Sequence, residues 1–307
     1  MKNDYFDYSL QPGMKLVQQN EYKRREPIIS VIIPFYNDKK YIEQTINSVL
    51  NQTFPYYEII IVDDGSKDEE GLKKLEEILK LDDRIMVYHK KNEGPSVARD
   101  FGASKSSKTS KYLIFLDSDD LIEPTYLECA YWTLETNKNA SWAYTDSLGF
   151  EGNEYLWNKW FDSEKMKREN ILVNTALIRK EHFFEVNGYA IKQKAVSEDW
   201  NLWLKMISKG YFPVRINFYG FWYRRKINDG ELNRSTKNKE ENMQIIKETI
   251  KKTKKPVKAI QYPLQNYNWD IIEEKIEDII IPELNENINR KINILMIIPW
   301  MTTGRSG

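Results

Sequence analysis

Apolar and polar positions along the first half of the chain alternate between two periods. Ile28 to Ile33 is an almost unbroken apolar run, as a strand buried on both faces requires. Ile42, Ile46, Val49 and Leu50 then recur at helical spacing. The alternation repeats: Glu58 to Val62 as strand, Leu72, Leu75 and Leu79 as helix, Arg84 to Tyr88 as strand, Val97, Ala98 and Phe101 as helix. Tyr112 to Leu116 is a fourth strand, followed by Tyr126, Leu127, Ala130 and Leu134 on a fourth helix. Strands alternating with helices predict βαβ crossovers and an α/β fold, with a mainly parallel central sheet flanked by helices. Such sheets bind ligands beyond the carboxyl ends of their strands, so the polar residues after each strand are where chemistry is expected.

Beyond about residue 140 the rhythm is less regular. Ser141–Ser147, Asn174–Ile178, Phe212–Phe218 and Phe221–Arg225 read as strands, and Ser197–Lys209 as a helix capped by Ser197 and ended by Gly210. Residues 226–240 read as a loop and 241–255 as a Lys- and Glu-rich helix. Ile292–Ile298 is a fresh buried-strand signal followed by a Gly-bearing loop. The expected organisation is a lead-in (1–27), the α/β domain (28–230), a helical extension (231–290), and the first strand and loop of a second domain, at whose start the chain stops (291–307).

Composition narrows the classes. Lys+Arg and Asp+Glu balance at 46 each, so no global basic field exists to attract nucleic acid. The one cysteine, Cys129, excludes an intrachain disulfide framework and a Cys-rich zinc site. No apolar run approaches the ~20 residues of a bilayer span. The simplest compartment is the cytoplasm, with peripheral contact at the inner face of the membrane compatible with that expectation. No GxxxxGK[ST], GxGxxG or HExxH pattern occurs, which argues against P-loop, NAD-type and zincin chemistry.

The strand ends carry the candidates. The first strand exits into Pro34-Phe35-Tyr36-Asn37, the second into Asp63-Asp64-Gly65-Ser66. Adjacent buried carboxylates need donors, which a nucleobase N–H, a ribose hydroxyl or a capped turn all offer. The third leads through Asn92-Glu93-Gly94-Pro95 into a helix with Arg99 one turn in, a fork suited to phosphate or carboxylate. The fourth exits into Asp117-Ser118-Asp119-Asp120; three carboxylates in four residues suit a hard divalent cation, Mn²⁺ or Mg²⁺. Glu198 and Asp199 open a later helix, where acids complement the dipole and where an ionised Asp199 is also placed as a general base. Trp200 and Trp203 beside it suit sugar stacking or core packing. Arg224, Arg225 and Lys226 suit a diphosphate or a solvated strand end.

Five blocks, in order, carry a resemblance: Ser30–Asn37, Ile61–Ser66, Asn92–Asp100, Phe115–Asp120 and Ser197–Trp200. Together they resemble the inverting family 2 glycosyltransferases of GT-A fold over about residues 28–225. The resemblance implies transfer from a nucleotide-diphospho-sugar, UDP-type, to a hydroxyl of a glycan, lipid-linked or protein acceptor, in bacterial surface glycan synthesis. It places Pro34, Tyr36, Asp63 and Asp64 at the nucleoside and Arg99, Asp117 and Ser118 at the donor. Asp119, with Asp117, would bind the metal in a DxD motif; Asp199 would be the base, with Glu198 and Trp200 toward the acceptor. The chain departs from the family in having Lys226 where a late His or basic–aromatic motif often stands. The terminal segment resembles the opening of a GT-B-type glycosyltransferase domain. Two other readings compete: a non-catalytic nucleotide-sugar-binding module of a larger glycan-assembly protein, and a nucleotidyltransferase. The latter usually carries a Gly-rich loop after the first strand, and Pro34–Lys40 has no glycine.

Overall fold

The computed structural model describes residues 26–189, 197–226 and 239–252. The N-terminal lead-in up to residue 25 and the expected second domain (291–307) lie outside the described residues, as does most of the extension.

Strand β1 (Ile29–Phe35) is central because its sequence is apolar on both faces. Ile29, Val31, Ile33 and Phe35 enter one hydrophobic cluster; Ile32 enters the other. On one side β1 pairs with β2 (Tyr57–Asp63), which pairs with β3 (Ile85–His89); on the other it pairs with β4 (Tyr112–Phe115). All three pairings are parallel, so Phe35, Asp63 and His89 stand side by side at one edge, with Asp117 just beyond β4. Helices α1 (Ile42–Leu50), α2 (Glu69–Ile78) and α4 (Tyr126–Thr136) cover one face and α3 (Pro95–Lys105) the other. Helix α3 lies close to the sheet at Gly102, where a Cβ would stand 2.5 Å from Ile32 Cγ2.

The other half of the sheet is mixed rather than parallel. Beyond β4 come β8 (Leu177–Arg179), β6 (Trp142–Glu151), β9 (Pro213–Arg225) and β5 (Leu121–Ile122), with β7 (Tyr155–Trp157) hairpinned onto β6. Of these pairings only β6–β9 is parallel. The two strands expected at 212–225 are one continuous β9. Register shifts opposite Thr145–Ser147 absorb the extra residues that interrupt its alternation.

Short helices α5 (Ser163–Met166) and α6 (Lys180–Glu185) precede α7 (Glu198–Ser208), whose Leu202, Trp203, Met206 and Ile207 fill the second cluster. Trp203 stacks on Trp142 at 5.2 Å between centroids. The expected Lys- and Glu-rich helix is α8 (Lys239–Lys252). No helix among the described residues is long and apolar enough to cross a membrane.

Candidate active site

The strand ends of the parallel half build the first wall. Pro34 stands near the end of β1, and Tyr36 just after it is 49% exposed. Asn37 turns the chain at φ 53° and accepts from Lys67 N (3.0 Å) and Asp68 N (3.3 Å), so the loops after β1 and β2 are tied together. Asp63 and Asp64 are both buried, and both find their donors in the protein. Asp63 accepts from Ser66 N at 2.9 Å and pairs with His89 Nδ1 at 2.9 Å. Asp64 accepts from Lys90 Nζ (2.8 Å), Glu93 N (3.0 Å) and Gly94 N (2.7 Å). Asp64 thereby shapes the loop that enters α3. Gly94 (φ 97°) and Gly65 (φ 75°) provide backbone that L side chains rarely adopt, and a Cβ on Gly65 would sit 2.7 Å from Asn92 N.

The acidic cluster after β4 is the second wall. Ser118 is buried; its carbonyl accepts from Thr45 Oγ1 (2.9 Å) and its hydroxyl donates to Asp38 (3.1 Å). Asp38, Asp117 and Asp119 crowd together, and Lys226 Nζ lies 2.7 Å from Asp119 and 3.3 Å from Asp38. Burial pushes the Asp119 carboxyl up to about 6; Lys226 opposes that shift, while the Asp117 and Asp38 charges add to it. Asp120 faces inward. Burial and the charges of Asp119 and Asp117 push it well up, and it accepts from Arg224 N at 2.8 Å.

The three cations expected near a diphosphate separate. Arg224 is buried and committed to protein groups: its Nε donates to Asp119 O (2.6 Å), Nη2 to Gln44 (2.7 Å), and Nη1 pairs with Glu151. Lys226 instead meets the carboxylates of the acidic cluster, at Asp119 and Asp38. Asp38 did not stand out as a site residue in sequence, although it follows the first strand end directly, whereas Lys226 was among the cations expected near a diphosphate.

Do these residues fit a divalent cation? Among the described residues no group of three or more His, Cys, Asp or Glu is arranged to hold a metal alone. Mg²⁺ and Mn²⁺ sites that serve phosphates commonly take one or two carboxylates and fill the remaining positions with phosphate oxygens and water. Asp119 and Asp117 are such a pair of neighbouring carboxylates, with the Lys226 ammonium, 2.7 Å from Asp119, standing where the ion would displace it. The residues fit.

Helix α7 carries the third wall. Its expected cap, Ser197, adopts a left-handed conformation (φ 68°) and makes no side-chain capping bond. Glu198 turns back to Arg99 Nη1 at 2.8 Å. Arg99 is only 4% exposed and also reaches Asp117 with Nη2 at 2.5 Å. Burial works against its charge, but Asp117, Tyr189 and Glu198 outweigh it and hold the guanidinium firmly protonated. Asp199 is partly exposed and accepts from Asn170 Nδ2 (2.8 Å) and Trp200 N (2.7 Å). Burial and the Glu198 charge raise its carboxyl to about 6 against those two bonds and Arg99. Trp200, expected toward an acceptor, is 8% exposed with its indole N–H on Met166 O (2.6 Å); its ring packs into the second cluster.

Asp117 and Glu198 thus meet on one guanidinium, and Asp199 sits one residue beyond. Asp63 and Asp64 lie behind the strand ends as loop anchors.

Comparison with known proteins agrees with this architecture. The family description "Glycosyl transferase family 2" matches residues 30–200. The putative teichuronic acid biosynthesis glycosyltransferase TuaG of Bacillus subtilis is 31% identical over 62% of this chain and 77% of its own length. An uncharacterized glycosyltransferase of Haemophilus influenzae is 30% identical over 80% of this chain and 77% of its own. One of Rickettsia bellii is 47% identical, but over 37% of this chain and only 16% of its own length, so the match spans a small part of that longer relative. Among solved structures, S. aureus TarS 1-349 in complex with UDP-GlcNAc superposes with a TM-score of 0.58 at 20% identity, covering 72% of this chain and 66% of that one. At that identity the likeness establishes the GT-A fold. With the family match running from the first strand to the turn that holds Asp199, the chain belongs to glycosyl transferase family 2.

Proposed function

We propose that this chain is an inverting, metal-assisted glycosyltransferase that moves a sugar from a UDP-type nucleotide-diphospho-sugar to a hydroxyl acceptor in bacterial surface glycan synthesis. The observation that carries this reading is Asp199: a partly exposed carboxyl with a pKa near 6, on a rigid helix start, tied through Glu198 and Arg99 to the acidic cluster. A base must be ionised at working pH and still basic enough to take a proton, and a value of about 6 meets both needs. TuaG, named for teichuronic acid biosynthesis, and the neighbour holding UDP-GlcNAc support the substrate class.

In this mechanism the nucleoside lies against Pro34 and Tyr36, on loops held by Asp63 and Asp64. Asp199 accepts the proton of the acceptor hydroxyl. The freed oxygen attacks the anomeric carbon; the new C–O bond forms as the bond to the diphosphate oxygen breaks, and its electron pair leaves with the nucleoside diphosphate. One displacement from the opposite face inverts the centre. Asp119 and Asp117 would hold Mn²⁺ or Mg²⁺, which when bound neutralises charge developing on the departing diphosphate. The neighbour GalNAc-T7, solved with UDP, GalNAc and Mn²⁺, supports that choice of ion.

The test is a panel of nucleotide sugars, each with Mn²⁺ and Mg²⁺, read first as a rise in the thermal midpoint and then by product analysis. A ligand bound by the native state alone raises the midpoint. Release of free nucleoside diphosphate, with the sugar on the acceptor, is the expected result. Pyrophosphate release would identify a nucleotidyltransferase. Binding with no product would identify a glycan-assembly module.

A further inference from the structure

Arg99 stands where a donor contact is expected, yet its guanidinium is directed at the protein. Nη2 meets Asp117 at 2.5 Å, Nη1 meets Glu198 at 2.8 Å, and the Tyr189 ring lies 5.4 Å from its centre. The side chain is 5% exposed, against 33% for Asp117 and 17% for Glu198. Nε is buried with no partner, so the cost of holding this group inside was not met by full hydrogen bonding. Two of its N–H groups are taken by these carboxylates, and its burial leaves little of the guanidinium open to a diphosphate oxygen.

The two acids come from elements that share no strand pairing or helix. Asp117 follows β4; Glu198 begins α7, directly after the left-handed Ser197. Without a cation between them, two carboxylates at this spacing repel and move apart. A planar fork spans both at once, which a point-like ammonium cannot do. The fork therefore sets where the first turn of α7 stands relative to the end of β4, and Asp199 is the next residue on that turn.

We propose that Arg99 is a positioning residue for sugar transfer: it ties Asp117 to Glu198 and so fixes the helix turn bearing Asp199, without touching the diphosphate. This rests on the reading of Asp199 as the base. A displacement of about 1 Å at a reacting group can cost about 10²-fold in rate, which is the scale of effect such a tie controls.

The experiment compares wild type, Arg99→Met, Arg99→Lys, Glu198→Gln and the Arg99→Met/Glu198→Gln double variant. Urea unfolding is measured on each, then UDP affinity with Mn²⁺ by calorimetry, then kcat and donor KM with the UDP-sugar that wild type turns over. Arg99→Met is expected to lower kcat about 10²-fold while UDP affinity and donor KM stay near wild type. Arg99→Lys, which keeps the charge and the fold, is expected to recover only part of that loss. Adding Glu198→Gln to Arg99→Met removes one of the two charges left uncompensated, and with it their mutual repulsion, and should recover about tenfold in kcat, a coupling of ordinary size for contacting residues. The unfolding effects of the two substitutions should likewise be non-additive.

The proposal is overturned if Arg99→Met acts on UDP affinity and donor KM with kcat preserved, and the double variant is no better than the single. Arg99 would then be a diphosphate ligand. Additive unfolding effects would also overturn it, whatever the kinetics. A wild-type protein that neither binds UDP nor releases it from any UDP-sugar sinks the transferase reading instead; non-additive unfolding would then mark the tie as purely structural.

Discussion

A carboxyl can act as a base near neutral pH only if its surroundings raise its affinity for protons without removing it from the substrate. Asp199 meets both conditions. Burial and the adjacent Glu198 charge lift it to about 6, while the bonds from Asn170 and Trp200 N keep it ionisable and hold its direction. Asp199→Asn keeps the shape and removes the base. It should retain UDP affinity and lose about 10²–10⁴-fold in kcat. Wild-type kcat with UDP binding intact would remove Asp199 from the reaction. The same carboxyl sets a pH dependence. The deprotonated form does the work, so kcat should be flat above its pKa and fall about tenfold per pH unit below a midpoint near 6. A profile level down to pH 5 would contradict that. The sequence shows Asp199 because it opens an amphipathic helix in a recognisable block. It does not show Asn170, which reaches Asp199 from a loop 29 residues earlier and has no periodic signal. The burial of Trp200 was hidden for the same reason: a tryptophan at the head of a helix points to sugar or to core according to what the rest of the chain brings to it.

At the scale of elements, parallel strands put their ends on one edge, and the residues just after them were readable for that reason alone. What the pattern left open was which loops touch. The turn after β2 and the loop before α3 are locked together by Asp64, through Glu93 N and Gly94 N, and by Gly65 against Asn92. Gly65→Ala should therefore cost about 1–2 kcal/mol from the left-handed backbone alone, and more from the 2.7 Å approach of its Cβ to Asn92 N. Urea unfolding measures that loss; unchanged stability would show that the two loops separate freely. Elsewhere local signals misled for physical reasons. Ser197 has the residue type of a cap but the backbone of a left-handed turn, so its hydroxyl cannot reach the helix N–H groups. The 212–225 stretch reads as two strands because a register shift against β6 breaks its alternation, although the hydrogen-bonded ladder continues. The mixed half of the sheet follows from antiparallel pairings of β8, β5 and β7, and strand direction leaves no trace in hydrophobic period.

At the scale of the whole molecule, a chain with zero net charge concentrates like charges at one edge of its sheet. That arrangement works against the ligand-free fold. Asp119 is pushed up to about 6, so its ionised form is disfavoured in the native state relative to the unfolded chain, and its contribution to stability falls as pH rises through that range. The Lys226 ion pair offsets only part of this, because burial outweighs it. Asp119→Asn should then have two effects of opposite sign. Alone at pH 7, the variant should unfold at the same midpoint or higher, since a neutral amide replaces a carboxylate among Asp117 and Asp38. With UDP and Mn²⁺ the order should reverse. Wild type gains about 2.7 kcal/mol at a ligand concentration 100-fold above its dissociation constant, and the variant loses the Mn²⁺-dependent part of that gain. Thermal unfolding with and without UDP, Mn²⁺ and both separates these terms. A variant less stable than wild type on its own would mean that the Lys226 pair outweighs burial and repulsion. An undiminished Mn²⁺-dependent gain would mean that the ion is held elsewhere than at Asp119. The expected crossing of the two curves would show that these acids are kept at a cost to the empty protein because the charges of the donor complex relieve it.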